Sequence, residues 1–343
     1  MDISHLYLEK DFVYVRMQGI IWAYSGLLNP SSLEDSSVVG LEKIYQDVNP
    51  DKPLIICFKG IERISGNDSL EIFLRNAKAR ERKISFINVN DELKKILIQN
   101  FQLAQIEDFK KSGNGFSIFS KDNFKEEVII ERVREMEKER LFASMNSSFR
   151  KLDVREKHFV STSIIADGEF DAGEIISDPK YFMWICLLMV DELNKLKFEL
   201  EEENKKSGIL LYTELKLIAV SLRGSPFCSA IGLLSNIKYD VLDHLGPKHK
   251  LFDTEVLENV NRGILYIYIG DFAAGGTEIK IAKTYINLIN CKLKYALVIG
   301  SLLKNEVFKN DFELISLIHL KEVRPEVNYE LPVFNNLFEG RNQ

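Results

Sequence analysis

Asp271, Gly275, Gly276 and Thr277 fall within one stretch, Gly263 to Thr284, whose residue types and spacing suit anion chemistry. Ile264 to Ile269 is an unbroken apolar and aromatic run rich in β-branched residues. That is the pattern of a strand buried on both faces, as in a parallel sheet. Asp271 to Thr277 reads as a turn, after which Ile279, Ile281, Ala282, Tyr285, Ile286 and Ile289 recur at helical spacing. A strand, a glycine turn and a helix leave backbone N–H groups converging at the helix start, where an anion binds. On this reading Ala274 to Thr277 wrap the anion, Gly275 and Gly276 let the backbone approach closely, and the Thr277 hydroxyl adds a donor. Asp271 stands at the strand's C-terminal end, where ligand groups gather in open α/β sheets. The other reading is an ordinary β-α turn that needs two glycines for its shape, since a glycine loop alone is a weak signal.

A second loop of the same kind lies about fifty residues upstream. Leu217 to Leu222 reads as a strand, Arg223-Gly224-Ser225-Pro226 follows, and Ala230, Ile231 and Leu234 mark a helix. Here backbone donors at a sheet edge are joined by a guanidinium. A surface arginine on a plain β-α turn is the alternative.

The elements that must position these loops follow from composition and periodicity. The chain has 343 residues, enough for about two domains. It is 45% hydrophobic and 28% charged, an ordinary soluble composition, and its net charge of -6 argues against a general nucleic-acid binder. Cys57, Cys186, Cys228 and Cys291 form no CxxC pair and lie in or beside apolar runs, so buried reduced thiols are expected rather than metal ligands or nucleophiles. The start, Met-Asp-Ile-Ser-His-Leu, has no basic segment followed by an apolar core, so no secretory signal is expected. The run Tyr181 to Val190 falls short of the roughly 20 residues a membrane span takes. The expectation is a cytoplasmic protein with no membrane and no nucleic-acid partner.

In chain order, Leu6 to Gln18 suggests two short strands turning near Glu9-Lys10-Asp11, and Leu41, Ile44 and Tyr45 a short helix. Leu54 to Phe58 and Ile84 to Val89 read as strands, each followed by a helix, one capped by Ser69 and one started by Asp91. From Asn123 to Phe149, Val128, Ile129, Val133, Met136, Leu141 and Met145 share one face of a long charged helix, whose apolar stripe must pack on something, a second copy of the chain included. His158 to Ile165 reads as a strand, and Pro179 opens a helix capped by Asp178 or Ser177. Tyr295 to Leu303 reads as a further strand and helix start.

The Gly263–Thr284 stretch resembles the ribose-phosphate signature of type I phosphoribosyltransferases, in which a hydrophobic strand ends in two acids before a Gly-Gly-Thr turn. Asp271 matches the second acid, and Gly270 stands where the first would be. The resemblance implies that Asp271 holds ribose hydroxyls, that Ala274, Gly275, Gly276 and Thr277 cradle a 5-phosphate, and that Arg223, Gly224 and Ser225 form the pyrophosphate loop. It also implies that Asp243 to Leu251 is a lid in which Lys248, His249 and Lys250 supply positive charge; a basic surface turn is the alternative. Asp167 to Pro179 resembles the N-terminal part of orotate phosphoribosyltransferases, without their Ser-Gly-x-x-Ser loop. The implied ligands are phosphoribosyl pyrophosphate, or another phosphorylated ribose, and Mg²⁺, with a homodimer as the expected assembly.

Pro53 to Ile64, Ser65-Gly66 and Ile84 to Val89 resemble a STAS domain, the fold of anti-sigma-factor antagonists. That resemblance implies a protein partner. Ser65 falls in the turn that carries the family's phosphorylated serine, and it serves either there or as a turn residue. The expected fold class is α/β: a STAS-like α/β domain over 1–120, a linking helix over 121–150, a phosphoribosyltransferase-like (Rossmann-like) domain with a mainly parallel sheet over 151–323, and an extended tail over 324–343. Two functions fit: a phosphoribosyltransferase of unknown nitrogen acceptor, regulated through the first domain, or a non-catalytic sensor that binds a phosphoribosyl or nucleotide ligand and a protein partner. A two-domain scaffold with neither ligand is the bland alternative.

Overall fold

A computed structural model describes residues 3–19, 31–65, 67–107, 109–118, 125–151, 158–161, 164–166, 168–207, 212–220, 222–242, 263–302, 304–308, 310–323, 325–327 and 329–330. The chain divides into two compact units, Met1–Lys138 and Glu139–Gln343. All four cysteines are free and buried. No helix among the described residues is long and apolar enough to cross a membrane.

Unit 1 opens with the hairpin β1 (Ile3–Leu8) and β2 (Val13–Met17). There follow β3 (Ser32–Leu33), α1 (Asp35–Asp47), β4 (Leu54–Cys57), β5 (Arg63–Ile64), α2 (Asn67–Ala79), β6 (Ile84–Ile87), α3 (Asp91–Asn100), β7 (Lys110–Ser112) and β8 (Gly115–Ile118). Strand order is β1-β2-β4-β6-β8-β7, with β2, β4 and β6 parallel and the remaining pairs antiparallel. The two-residue period of a strand splits its side chains between two cores. Val13, Val15, Leu54, Ile56, Ile84 and Phe86 pack with helix residues such as Leu41, Leu70, Phe73 and Leu93. Tyr14, Ile55, Cys57 and Ile87 point the other way and are covered by Val133, Ile129, Ile130 and Met136 from α4 (Glu126–Ser148).

The start of α4 is tied down by Glu126, which is 6% exposed. Its Oε1 accepts from Asn88 N–H at 2.8 Å, and its Oε2 accepts from Asn114 N–H at 2.8 Å and Gly115 N–H at 3.0 Å. Val128, expected on the apolar stripe, is instead 60% exposed: the stripe begins at Ile129. Ser69 is not the cap of α2. That helix starts two residues earlier, and Ser69 N–H bonds the Asp35 carboxylate at 3.4 Å. The Ser65 hydroxyl donates to Leu33 O of β3 at 3.1 Å. Gly66 of the expected turn lies outside the described residues.

Unit 2 comprises β9 (Phe149–Lys151), β10 (His158–Ser161), β11 (Ile164–Ala166), β12 (Gly168–Phe170), α5 (Ala172–Ser177), α6 (Pro179–Ser207), β13 (Glu214–Ala219), α7 (Ser225–Ser235), β14 (Tyr239–Val241), β15 (Ile264–Ala273), α8 (Thr277–Leu288), β16 (Lys292–Ser301), β17 (Glu313–His319), α9 (Leu320–Val323) and β18 (Tyr329–Glu330). Where one strand is expected over His158–Ile165, the chain forms the hairpin β10–β11. Within the expected tail, β18 pairs with β11. Asp178 caps α6 as expected, its Oδ1 accepting from Lys180 N–H at 2.9 Å and Tyr181 N–H at 3.3 Å.

The central sheet is parallel throughout, in the order β14-β13-β15-β16-β17. Ile218, Tyr266, Tyr268, Ala296 and Val298 gather with Ile279, Ala282 and Ile286 of α8 in one core. The residues between them point to the opposite face. Right-handed crossovers that run in opposite directions, β13 to β14 through α7 and β15 to β16 through α8, place the two helices on opposite faces. After β16 the expected helix start is a 3-10 turn, Asn305–Val307.

Candidate active site

The strand order sets the location. From β13 the chain moves outward to β14, and from β15 it moves the other way to β16. The loops after β13 and β15 therefore part at the C-terminal edge of two adjacent strands, the crevice where ligands bind in open parallel sheets. The expected anion loops occupy these two places. Arg223 and Gly224 lead into α7, and Ala274 to Gly276 lead into α8. β13 ends at Ala219 rather than Leu222, so Leu222 stands out at 93% exposed and Arg223 is exposed beside it.

Asp271 is not in the turn. β15 runs on through Ala273, held by parallel pairing of Gly270 with Val298, Phe272 with Gly300 and Ala273 with Ser301. Phe272 stacks on Phe170, with ring centroids 5.1 Å apart. Asp271 is only 8% exposed. Burial pushes its carboxyl up to about 6; the charge of Glu278 adds to this, while its backbone contacts and the charge of Arg223 pull the other way. A carboxyl placed there is a buried acid next to a cation from the neighbouring loop.

The glycine turn is formed by Ala274 to Gly276. Gly276 has φ +70° and is the N-cap of α8, so it supplies no side-chain acceptor to the first turn. A Cβ on it would lie 2.8 Å from the Phe308 ring, so packing as well as backbone geometry requires glycine. Gly224 is likewise the N-cap of α7, and the Ser225 hydroxyl donates to Leu222 O at 3.3 Å, closing the Arg223 loop on itself. Thr277 is the first residue of α8 and half-buried. Lys248, His249 and Lys250 of the expected lid lie outside the described residues.

Two site residues escaped the sequence reading. Tyr268, two residues before Gly270 and on the same strand face, lays its ring where a side chain at 270 would go. Its hydroxyl donates to Glu278 Oε2 at 3.1 Å, and burial together with the nearby Glu278 and Asp271 charges holds the phenol in its protonated form. Glu278 lies in the first turn of α8, where the helix dipole favours a carboxylate. Tyr268 was hidden inside an apolar strand run. Glu278 had a signal, an acid directly after the Gly-Gly-Thr turn.

At the same edge Ser301 Oγ and His319 Nδ1 are 2.6 Å apart across β16 and β17. Ser301 is fully buried, so this bond joins strand ends. A cavity of about 800 Å³ lies at the opposite, N-terminal ends of the strands, lined by Leu265, Lys292, Leu293, Lys294 and Glu313 among others. It has neither loop, so the C-terminal crevice is the stronger candidate. Among the described residues, no group of three His, Cys, Asp or Glu side chains could hold a metal ion. Asp271 and Glu278 are the carboxylates at this edge that could contact a hard cation.

No family model and no curated protein matches the chain. Its structural neighbours include orotate phosphoribosyltransferase from Aeropyrum pernix, at 14% identity and TM-score 0.36, covering 54% of this chain and 97% of that one. Adenine phosphoribosyltransferase from Thermoanaerobacter pseudethanolicus is similar at 14% identity and TM-score 0.37, covering 52% and 99%. The adenine enzyme from Trypanosoma brucei is similar at 11% identity and TM-score 0.35, covering 53% and 80%. A likeness at these values assigns no activity.

Proposed function

We propose that unit 2 binds phosphoribosyl pyrophosphate with Mg²⁺ and transfers its phosphoribosyl group to a nitrogen nucleophile. The observation that supports this reading most is the meeting of two loops at the switch point of the sheet: the Arg223–Gly224 loop of β13, and the Asp271 strand end and glycine turn of β15. In the proposed reaction the bond from the ribose anomeric carbon to pyrophosphate breaks as nitrogen bonds to that carbon. Such a reaction asks the protein to position two partners and to stabilise a departing anion. Asp271 accepts from ribose hydroxyls, Ala274 to Thr277 hold the 5-phosphate, and Arg223 with Gly224 and Ser225 holds pyrophosphate. Lys248 and Lys250 add positive charge for the pyrophosphate. Mg²⁺, when bound, would supply charge neutralisation to the departing anion, and Asp271 and Glu278 are the carboxylates of this chain that would contact it.

A second reading, a sensor that binds a phosphorylated ribose without turning it over, is favoured by one observation. Position 270 carries no acid, and Tyr268 fills its space. In either reading unit 1 is a STAS-like regulatory module that meets a protein partner; the parallel β2–β4–β6 core and its helices agree with that assignment. Calorimetric titration of phosphoribosyl pyrophosphate with Mg²⁺ into the chain, with Asp271→Asn and Arg223→Ala beside it, tests the ligand. Binding lost in both variants supports the site, and pyrophosphate release on addition of a base separates enzyme from sensor. No heat from folded protein at millimolar ligand ends both readings.

A further inference from the structure

Unit 1 contains a cavity of about 490 Å³ between the end of α1 and the turn from α2 to β6, lined by Tyr45, Val48, Asp51, Arg80, Arg82 and Lys83 among others. We propose that this cavity is a second ligand site, which takes the oxyanion head of a small molecule on Tyr45, Arg80 and Arg82. The proposal is independent of the chemistry of unit 2.

The argument starts from what the wall lacks. Arg82 is 4% exposed and Tyr45 2%. Arg82 Nη1 donates to Tyr45 O at 2.5 Å and Nη2 to Asn49 O at 3.1 Å, so the guanidinium closes off carbonyls at the end of α1. Those two bonds leave its Nε, which has no partner among the described residues, and Tyr45 Oη has none among them either. Folded proteins rarely leave buried polar groups unpaired, and here both belong to residues that line one cavity. Both are donors. A guanidinium has no acceptor, and burial raises the Tyr45 pKa, against the pull of Arg80 and Arg82, so the phenol keeps its proton. Arg82 Nε can be satisfied only by an acceptor, and the Tyr45 hydroxyl can donate to the same group.

Charge points the same way. Arg80 and Arg82 both stack on the Tyr45 ring, at 5.5 and 4.7 Å from its centre. That fixes two cations beside the phenol, and Lys83 adds a third positive side chain to the lining. Asp51 and Glu81 also line the cavity; they are exposed, as Arg80 is, so solvent screens all three and Arg82 is the buried charge. The buried wall is left positive and donor-rich, and Arg pairs well with planar or tetrahedral oxyanions. Val48 and Pro50 offer an apolar side for the rest of the molecule. Phosphate and carboxylate heads share this chemistry.

The test is calorimetric titration of inorganic phosphate and, separately, acetate into the full chain and into Arg223→Ala, Arg80→Ala and Tyr45→Phe. Arg223→Ala removes the cation of the unit 2 crevice. The pocket is supported by anion binding that survives that change yet weakens about tenfold in both Arg80→Ala and Tyr45→Phe. Arg80 is exposed and Tyr45→Phe keeps the ring, so both variants should fold, which circular dichroism checks. The anion that binds identifies the head group. Failure of the folded wild-type chain to bind either anion at tens of millimolar overturns the proposal. Binding that Arg80→Ala and Tyr45→Phe leave unchanged does so too.

Discussion

The ring of Tyr268 occupies the space that any side chain at position 270 would need. A Cβ built on Gly270 lies 2.6 Å from Tyr268 Cε1 and 2.9 Å from its hydroxyl oxygen. The two residues are neighbours on one face of β15, so the tyrosine and the glycine go together. Gly270→Ala should cost about 1–3 kcal/mol by overpacking, read as a lower urea midpoint. Adding Tyr268→Leu should recover part of that loss. A Gly270→Ala protein as stable as wild type would show that the ring does not hold that place.

Asp271 should make stability fall as pH rises. Its folded-state value is raised to about 6 from an ordinary 3.8. Between those values the unfolded chain has lost the proton and the folded chain has kept it, so each step up in pH favours unfolding. The loss should total about 3 kcal/mol across that window and level off above it, an order-of-magnitude figure. Asp271→Asn should flatten the profile in urea melts taken from pH 4 to 7.

Ligand binding should follow the same proton in the opposite sense. A ribose hydroxyl donates best to an ionised carboxylate, so affinity for phosphoribosyl pyrophosphate with Mg²⁺ should rise through about pH 6. That rise should be absent in Asp271→Asn. A wild-type affinity flat over the range would remove Asp271 from the ribose contact.

Arg223 is exposed and closes no core, so Arg223→Ala should leave the melting temperature unchanged. Its effect should fall on the ligand, weakening phosphoribosyl pyrophosphate about tenfold or more through loss of a charge-assisted bond. Equal affinities in wild type and variant would place the pyrophosphate elsewhere.

Glu126 accepts from the amides of Asn88, Asn114 and Gly115, and its removal takes that acceptor from all three at once. Glu126→Ala should cost about 3 kcal/mol or more, and Glu126→Gln, which keeps one carbonyl oxygen, less. Denaturant titration of both variants orders them.

The parts of this fold that could be read in the sequence are those with long, one-sided patterns. The run Ile264–Ile269 is strand and the Ile279–Ile286 spacing is helix, so the order strand, glycine turn, helix is legible, but the turn is Ala274–Gly276 and not the longer Asp271–Thr277 that the residue types suggest. The strand's last residues were not read, because Asp271 and Phe272 look like turn chemistry and stay in the sheet only through pairing with β16. The hairpin β10–β11 and the bonds from Glu126 depend on partners far along the chain, which local periodicity does not encode. Tyr268 shows the same limit at the site. An aromatic in a buried run looks like core until the glycine two residues on is seen beneath its ring.

The first turns of α4 matter to anyone cutting this chain into expressible pieces. They cover Tyr14, Ile55, Cys57 and Ile87 on the outer side of the first sheet. A fragment stopped near residue 120 would display that aromatic and aliphatic surface to solvent and would lack Glu126, inviting self-association during purification. A fragment carried through Met136 retains the cover, so the smallest workable piece of unit 1 is set by a helix that a sequence reader would assign to the linker.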